Sequence, residues 1–194
     1  MNDPAKPDRR VERTRQALLA AFRDLMFERG YDAFTVREII DRANVGRSTF
    51  YEHYESKDDL FRESLAPVVA ALANSTCTTD ASDLQRLATL LAHFAENPAI
   101  TSGVLSSSAR RVMEAMLAEH IEPHLARRSR PHTSVAPVSD SIVAAHLAAG
   151  QLGMIEAWLS AKTQRGAGDV AAALLASTRA SLDALLPLRG SAGG

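Results

Sequence analysis

The tightest constraint on this chain lies between Thr35 and Leu60, which reads TVREIIDRANVGRSTFYEHYESKDDL. Thr35 with Glu38, and Ser56 with Asp59, each set a hydroxyl three residues ahead of a carboxylate. In that pattern side chains and backbone N–H groups at a helix start satisfy one another. Two such starts so close together, with Asn44-Val45-Gly46 breaking the run between them, leave room only for two short helices and a tight turn. A pair of that kind needs a small residue where the helices cross, and Ala43 is placed there. It needs a turn residue that accepts left-handed dihedrals, which Asn44 does at little cost. Val45 then fills the angle, and Ile39, Ile40, Phe50 and Tyr54 supply the shared core. The second helix, over about Arg47 to Tyr54, is left exposing Arg47, Ser48, Thr49, Tyr51, Glu52 and His53. That is a set of donors and acceptors suited to base edges and phosphates, on a support held from behind.

The rest of the chain repeats apolar residues at helical spacing, with no strand-like alternation. Val11, Leu18, Phe22, Leu25 and Met26 share a face of a first helix over about Asp8 to Arg29, and Gly30 stands where a helix-ending glycine is expected. A helix from Ser56 to about Ala73 should kink at Pro67. Asn74 to Asp80 reads as a polar linker, Ser82 to Glu96 as a helix, and Asn97-Pro98 as a break. Further helices are expected over Ser107 to Arg128 with a kink at Pro123, Ser139 to Lys162, and Gly168 to Leu186. The Pro- and Ser-rich stretch Ser129 to Val138 is expected to be a loop.

Composition narrows the function classes. With 194 residues and 46% hydrophobic content the chain can build a substantial core. Its single cysteine, Cys77, excludes a cystine scaffold and reads as a bystander thiol in a linker. Met1 to Arg15 is charged with no apolar run, unlike a signal peptide. The apolar stretch Ser141 to Ile155 ends at Glu156, short of the ~18 residues a membrane span needs. A cytoplasmic protein is therefore expected. His120 and His124 have a chelating i,i+4 spacing, but no third ligand is assignable, so neither a metal nor another cofactor is expected. The sequence contains no Gly-x-Ser-x-Gly, His-Glu-x-x-His, Walker or dinucleotide-binding fingerprint. An enzyme is not expected. A formal net charge of −1 does not advertise a nucleic-acid partner. Even the segment to Arg62 is not net basic, so placement of the cations has to carry the argument.

The string Thr35, Ile39, Ala43, Val45, Tyr51, His53, Tyr54, Lys57, Leu60 resembles the DNA-binding domain of the TetR family of bacterial transcriptional regulators. The match is residue by residue from about Arg13 to Leu60 and architectural beyond it. The resemblance implies an all-α chain: an N-terminal three-helix helix-turn-helix domain over residues 1–56 and a C-terminal helical effector-binding and dimerisation domain over 57–188. A disordered tail is expected over 189–194. It implies that Arg47, Ser48 and Thr49 enter a major groove, with Arg47 reading guanine. Arg37 would reach a base or phosphate, and Tyr51, His53 and Lys57 would hold phosphates. Arg9, Arg10, Arg13 and Arg15 form a cationic arm beside them. Asn44 stands where the family usually has glycine, and Glu52 puts an acid on the reading side.

The second half should serve dimerisation and ligand response. The Ser139 to Lys162 helix is apolar around most of its circumference. A strip of mostly small side chains, His146, Gly150, Gly153, Ala157 and Ser160, would admit a close helix partner. The family pairs its last two helices across a two-fold axis, which implies a homodimer on a palindromic double-stranded operator. It also implies a repressor released by a small effector, here expected to be hydrophobic. Phe94, Met113, Met116, Leu117, Met154 and Trp158 are the pocket candidates, since sulfur and aromatic side chains suit a pliable apolar cavity. Control by a protein partner instead of a small ligand is the alternative reading.

Overall fold

The computed structural model describes residues 9–77, 81–128, 138–161 and 165–186. Within them the chain is all helical. It forms α1 (Arg9–Arg29), a 3-10 turn (Tyr31–Ala33), α2 (Val36–Ala43), α3 (Arg47–His53), α4 (Lys57–Cys77), α5 (Ala81–Glu96), α6 (Pro98–Leu105), α7 (Ala109–Arg128), α8 (Asp140–Ser160) and α9 (Ala167–Leu185). The expected tail 189–194, nearly all of the 129–138 loop and the Cys77 side chain lie outside the described residues.

The first three helices and the start of α4 close around aromatic rings. Phe22 of α1 meets Tyr31, Phe34 and Phe61 edge-on, at centroid distances of 6.3, 5.6 and 6.4 Å. Such arrangements add about 0.5–1.5 kcal/mol per pair beyond simple burial. Gly30 ends α1 at φ 82°, a conformation that favours glycine. The apolar face of α1 begins later than its periodicity suggests: Leu18 and Phe22 are fully buried, whereas Val11 is 45% exposed.

The structure departs from the sequence expectation in three places. The polar stretch after Ala73 is not wholly a linker, because α4 continues to Cys77. Asn97-Pro98, expected as a break alone, opens a helix. Pro98 occupies the first turn of α6, where its missing N–H costs nothing, and Asn97 O accepts from Ile100 N and Thr101 N. Finally, α8 does not stop short. An 18-residue stretch of this 21-residue helix has a mean hydropathy of 1.3, long and apolar enough by length and composition to cross a membrane. Here one face of it is buried, through Val143, Leu147, Ala148, Leu152 and Ile155, as the helix packs on α7 and α9.

Pro67 and Pro123 sit inside α4 and α7 on exposed positions, and neither ends its helix. Helix α4 serves both halves. Leu60 and Phe61 are fully buried in the aromatic cluster, while Val69 and Leu72 are buried where α4 packs on α5 and α7. One continuous helix therefore joins the N-terminal unit to the rest.

Candidate nucleic-acid interface

The geometry of α2 and α3 is set locally. Thr35 Oγ1 accepts from Glu38 N, and the Glu38 carboxylate accepts from Thr35 N at 2.9 Å, closing the expected capping box. These bonds hold the Glu38 carboxyl below its ordinary range, the backbone donor of Thr35 first among them. Glu38 also pairs with Arg29 of α1. Asn44 ends α2 in the left-handed region at φ 51°, ψ 49°, and Val45 N bonds back to Ile40 O. Arg42 grips Glu28 of α1 with two bonds of 2.9 and 2.8 Å. A bidentate pair of this kind fixes orientation as well as distance.

Helix α3 is anchored by Phe50, which is fully buried, with Val45 and Tyr54 beside it. Its outer surface exposes Arg47, Ser48, Tyr51 and Glu52, with Thr49 and His53 half-buried at its edges. Arg37 projects from α2 with its side chain 90% exposed, 3.8 Å from Asp41. The sequence-derived residues Arg37, Arg47, Ser48, Thr49, Tyr51 and His53 thus lie on two neighbouring short helices.

Lys57 departs from the expectation of a phosphate contact. Its Nζ donates to the carbonyls of Tyr31 and Phe34, at 2.8 and 3.1 Å. It also lies over both rings, 4.3 and 5.0 Å from their centroids. The lysine closes the 3-10 turn, since a half-buried ammonium takes the nearest acceptors it can reach. Arg15 likewise leaves the expected cationic arm: it pairs with Glu12 and with Glu63 of α4. Tyr54 donates its hydroxyl to the same Glu63 at 2.9 Å, and burial pushes its phenol upward.

Sequence reasoning missed the joint between the two halves. Tyr31 is 1% exposed and donates its hydroxyl to Asp58. Its neighbour Asp32 accepts from Ser108 N at 3.1 Å and from Ser108 Oγ. Those donors, the hydroxyl first, hold the Asp32 carboxyl below its ordinary value of 3.8. Asp32 belongs to the turn that feeds α2, and Ser108 to the turn between α6 and α7. The two are 76 residues apart, and nothing local in the sequence announces the contact.

The pocket candidates do not line an open site. Phe94, Met113, Met116 and Leu117 are buried core residues, and Met154 and Trp158 pack partly buried against them. Trp158 Nε1 donates to Arg165 O at 2.9 Å, tying the α8–α9 connection. An open groove lies instead beside the joint, lined by Asp58, Ser107, Ser108, Arg110, Arg111, Val112 and Glu114. His120 Nδ1 donates to Met116 O at 2.8 Å. His124 accepts from Arg127 at 3.0 Å, and its pKa is lowered by burial and then by the Arg127 charge.

With this geometry in view, likeness to known proteins becomes informative. Residues 18–64 match the family described as bacterial regulatory proteins, tetR family. An uncharacterized HTH-type transcriptional regulator of Bacillus subtilis strain 168, YxbF, is 45% identical over 56 residues, 28% of this chain and 15% of that protein. A second from the same organism, YdeS, is 35% identical over 86 residues, 44% of this chain and 43% of that protein. The alignments thus span less than half the length of either curated relative. A solved TetR transcriptional regulator from Streptococcus agalactiae 2603V aligns over 88% of this chain and 96% of its own, with 27% identity and a TM-score of 0.59.

Proposed function

Because the chain belongs to the TetR family of bacterial regulatory proteins, we propose that it works as a homodimeric repressor that binds a palindromic operator and is released by a small effector. The observation that carries the reading is α3. This seven-residue helix, fixed from behind by Phe50, presents Arg47, Ser48, Tyr51 and Glu52 to solvent. Arg47 and Thr49 reach base edges with Tyr51 beside Arg47, Arg37 extends the surface from α2, and His53 flanks the phosphates. Lys57 acts behind the surface, holding the turn from which α2 departs.

Dimerisation through α8 and α9 is supported by what those helices leave uncovered. Ile142 is 59% exposed, and Ala145, Ala149, Gly150, Ala172, Ala173, Ala176 and Ala180 face outward without large polar side chains. Small apolar residues on two adjacent helices permit close packing against a second copy. A two-fold dimer then carries two copies of α3 to successive major grooves. The effector reading rests on the aliphatic and methionine-rich interior around Phe94, Met113, Met116, Leu117, Met154 and Trp158. Such an interior can open for an apolar guest, and the guest releases DNA only by binding the non-reading arrangement more tightly.

The decisive test is selection of genomic DNA fragments by purified protein at physiological salt. Enrichment of a sequence with two-fold symmetry supports the reading, and failure to enrich any fragment overturns it. Screening metabolites for saturable loss of that binding then separates a small effector from a protein partner.

A further inference from the structure

Two kinds of contact hold arginines on the N-terminal unit. Arg15, Arg29 and Arg42 each point their guanidinium donors at a carboxylate. Among the described residues Arg47 pairs with no carboxylate. Its Cζ lies over the ring of Tyr51, 5.7 Å from the centroid. The two residues are one helical turn apart on α3, so their side chains meet on the same face. The Tyr51 ring is itself supported: it stands edge-on to Phe50 at 5.2 Å and 84°, and Phe50 is fully buried.

These two modes of support differ in what they leave free. A carboxylate consumes the in-plane N–H donors of an arginine. An aromatic ring offers those donors no in-plane acceptor and so leaves the fork available. Bidentate reading of guanine O6 and N7 uses that same fork. An exposed, unsupported arginine would have to be ordered at the moment of contact, whereas a stacked one is ordered beforehand.

We propose that Tyr51 is a positioning residue for base reading: its ring pre-orients Arg47, and so sharpens preference at the base pair that Arg47 contacts. This rests on the reading of α3 as the recognition helix. It differs from a phosphate contact by Tyr51, which would use the hydroxyl and not the ring.

Two substitutions separate these roles. Tyr51→Phe keeps the ring and removes the hydroxyl, and Tyr51→Leu removes both. With random duplex DNA as the probe, wild type and Tyr51→Phe should select the same motif with the same salt dependence. Tyr51→Leu should relax preference at one base pair per half-site by roughly two- to five-fold, the scale of an exposed cation–π contact. Adding it to Arg47→Ala should relax that position no further. If Tyr51→Phe loses affinity for all sequences with a shallower salt slope, or if Tyr51→Leu keeps full preference, the proposal is overturned. NMR of the DNA-free protein supplies an independent arm. Upfield ring-current shifts of the Arg47 side chain should persist in Tyr51→Phe and vanish in Tyr51→Leu, and their lack in wild type overturns the stack. Wild-type protein that selects no duplex, yet shows those shifts, overturns the recognition reading while leaving the stack in place.

Discussion

The N-terminal unit and the helical domain behind it are built from different materials. In the first, aromatic rings meet edge-on around Phe22, α2 is tied to α1 by Arg42 with Glu28 and Arg29 with Glu38, and Lys57 holds the carbonyls of Tyr31 and Phe34. In the second, long helices bury leucine, alanine and methionine; among the described residues Gln151 of α8 donates to Thr178 of α9 at 3.4 Å, and Arg110 of α7 pairs with Glu156 of α8 at the edge of that interior. Directional contacts fix the orientation of the elements they join. Aliphatic packing is less directional and tolerates repacking.

The contrast is sharpest if the aromatic core is truncated and the aliphatic one repacked. Phe22→Ala removes the shared partner of three rings and should cost about 3–5 kcal/mol, read by chemical denaturation. Met116→Leu, at a site only 3% exposed, keeps volume and should cost less than about 1.5 kcal/mol. Equal costs would erase the distinction between the two interiors.

Next in size are the charged contacts. Lys57→Ala strands two carbonyls and should destabilise the fold by about 1–3 kcal/mol. A pure phosphate contact predicts instead unchanged stability and a flatter salt slope of DNA binding. Arg47→Ala should leave stability unchanged while costing about 1–3 kcal/mol of operator preference per half-site, measured by competition between selected and scrambled duplexes. If preference survives, α3 is not the reading element.

The smallest effect concerns the joint between the regions. Asp32 is held below its ordinary pKa by the Ser108 donors, so its contribution is present above pH ~4. It is lost as pH falls through the lowered value. Hydrogen exchange at the Ser108 amide should therefore be protected at neutral pH relative to Asp32→Ala, and the difference should vanish in acid. Equal exchange in both proteins at neutral pH would show that the joint does not restrain the turn.

Much of the N-terminal unit was legible in the sequence because its determinants are local. The Thr35–Glu38 box, the left-handed Asn44 and the exposed face of α3 all depend on residues within one or two helical turns. What local sequence does not show is partners far along the chain. Lys57 has the type and place of a phosphate ligand, and the carbonyls of Tyr31 and Phe34 hold it. Arg15 belongs by sequence to a cationic arm, and Glu63 of α4 pairs with it. Asn97-Pro98 is a helix-opening signal as well as a breaking one.

Periodicity, caps and turn residues dictated that the chain would be helical and where the short helix α3 would lie, because helix geometry depends on neighbours three or four residues away. Which cations stay outward, how Asp32 meets Ser108 and which face of α8 is buried were decided in three dimensions. Each of those outcomes depends on which partner lies nearest after folding, and a charged or apolar side chain takes the partner that removes it from water at least cost.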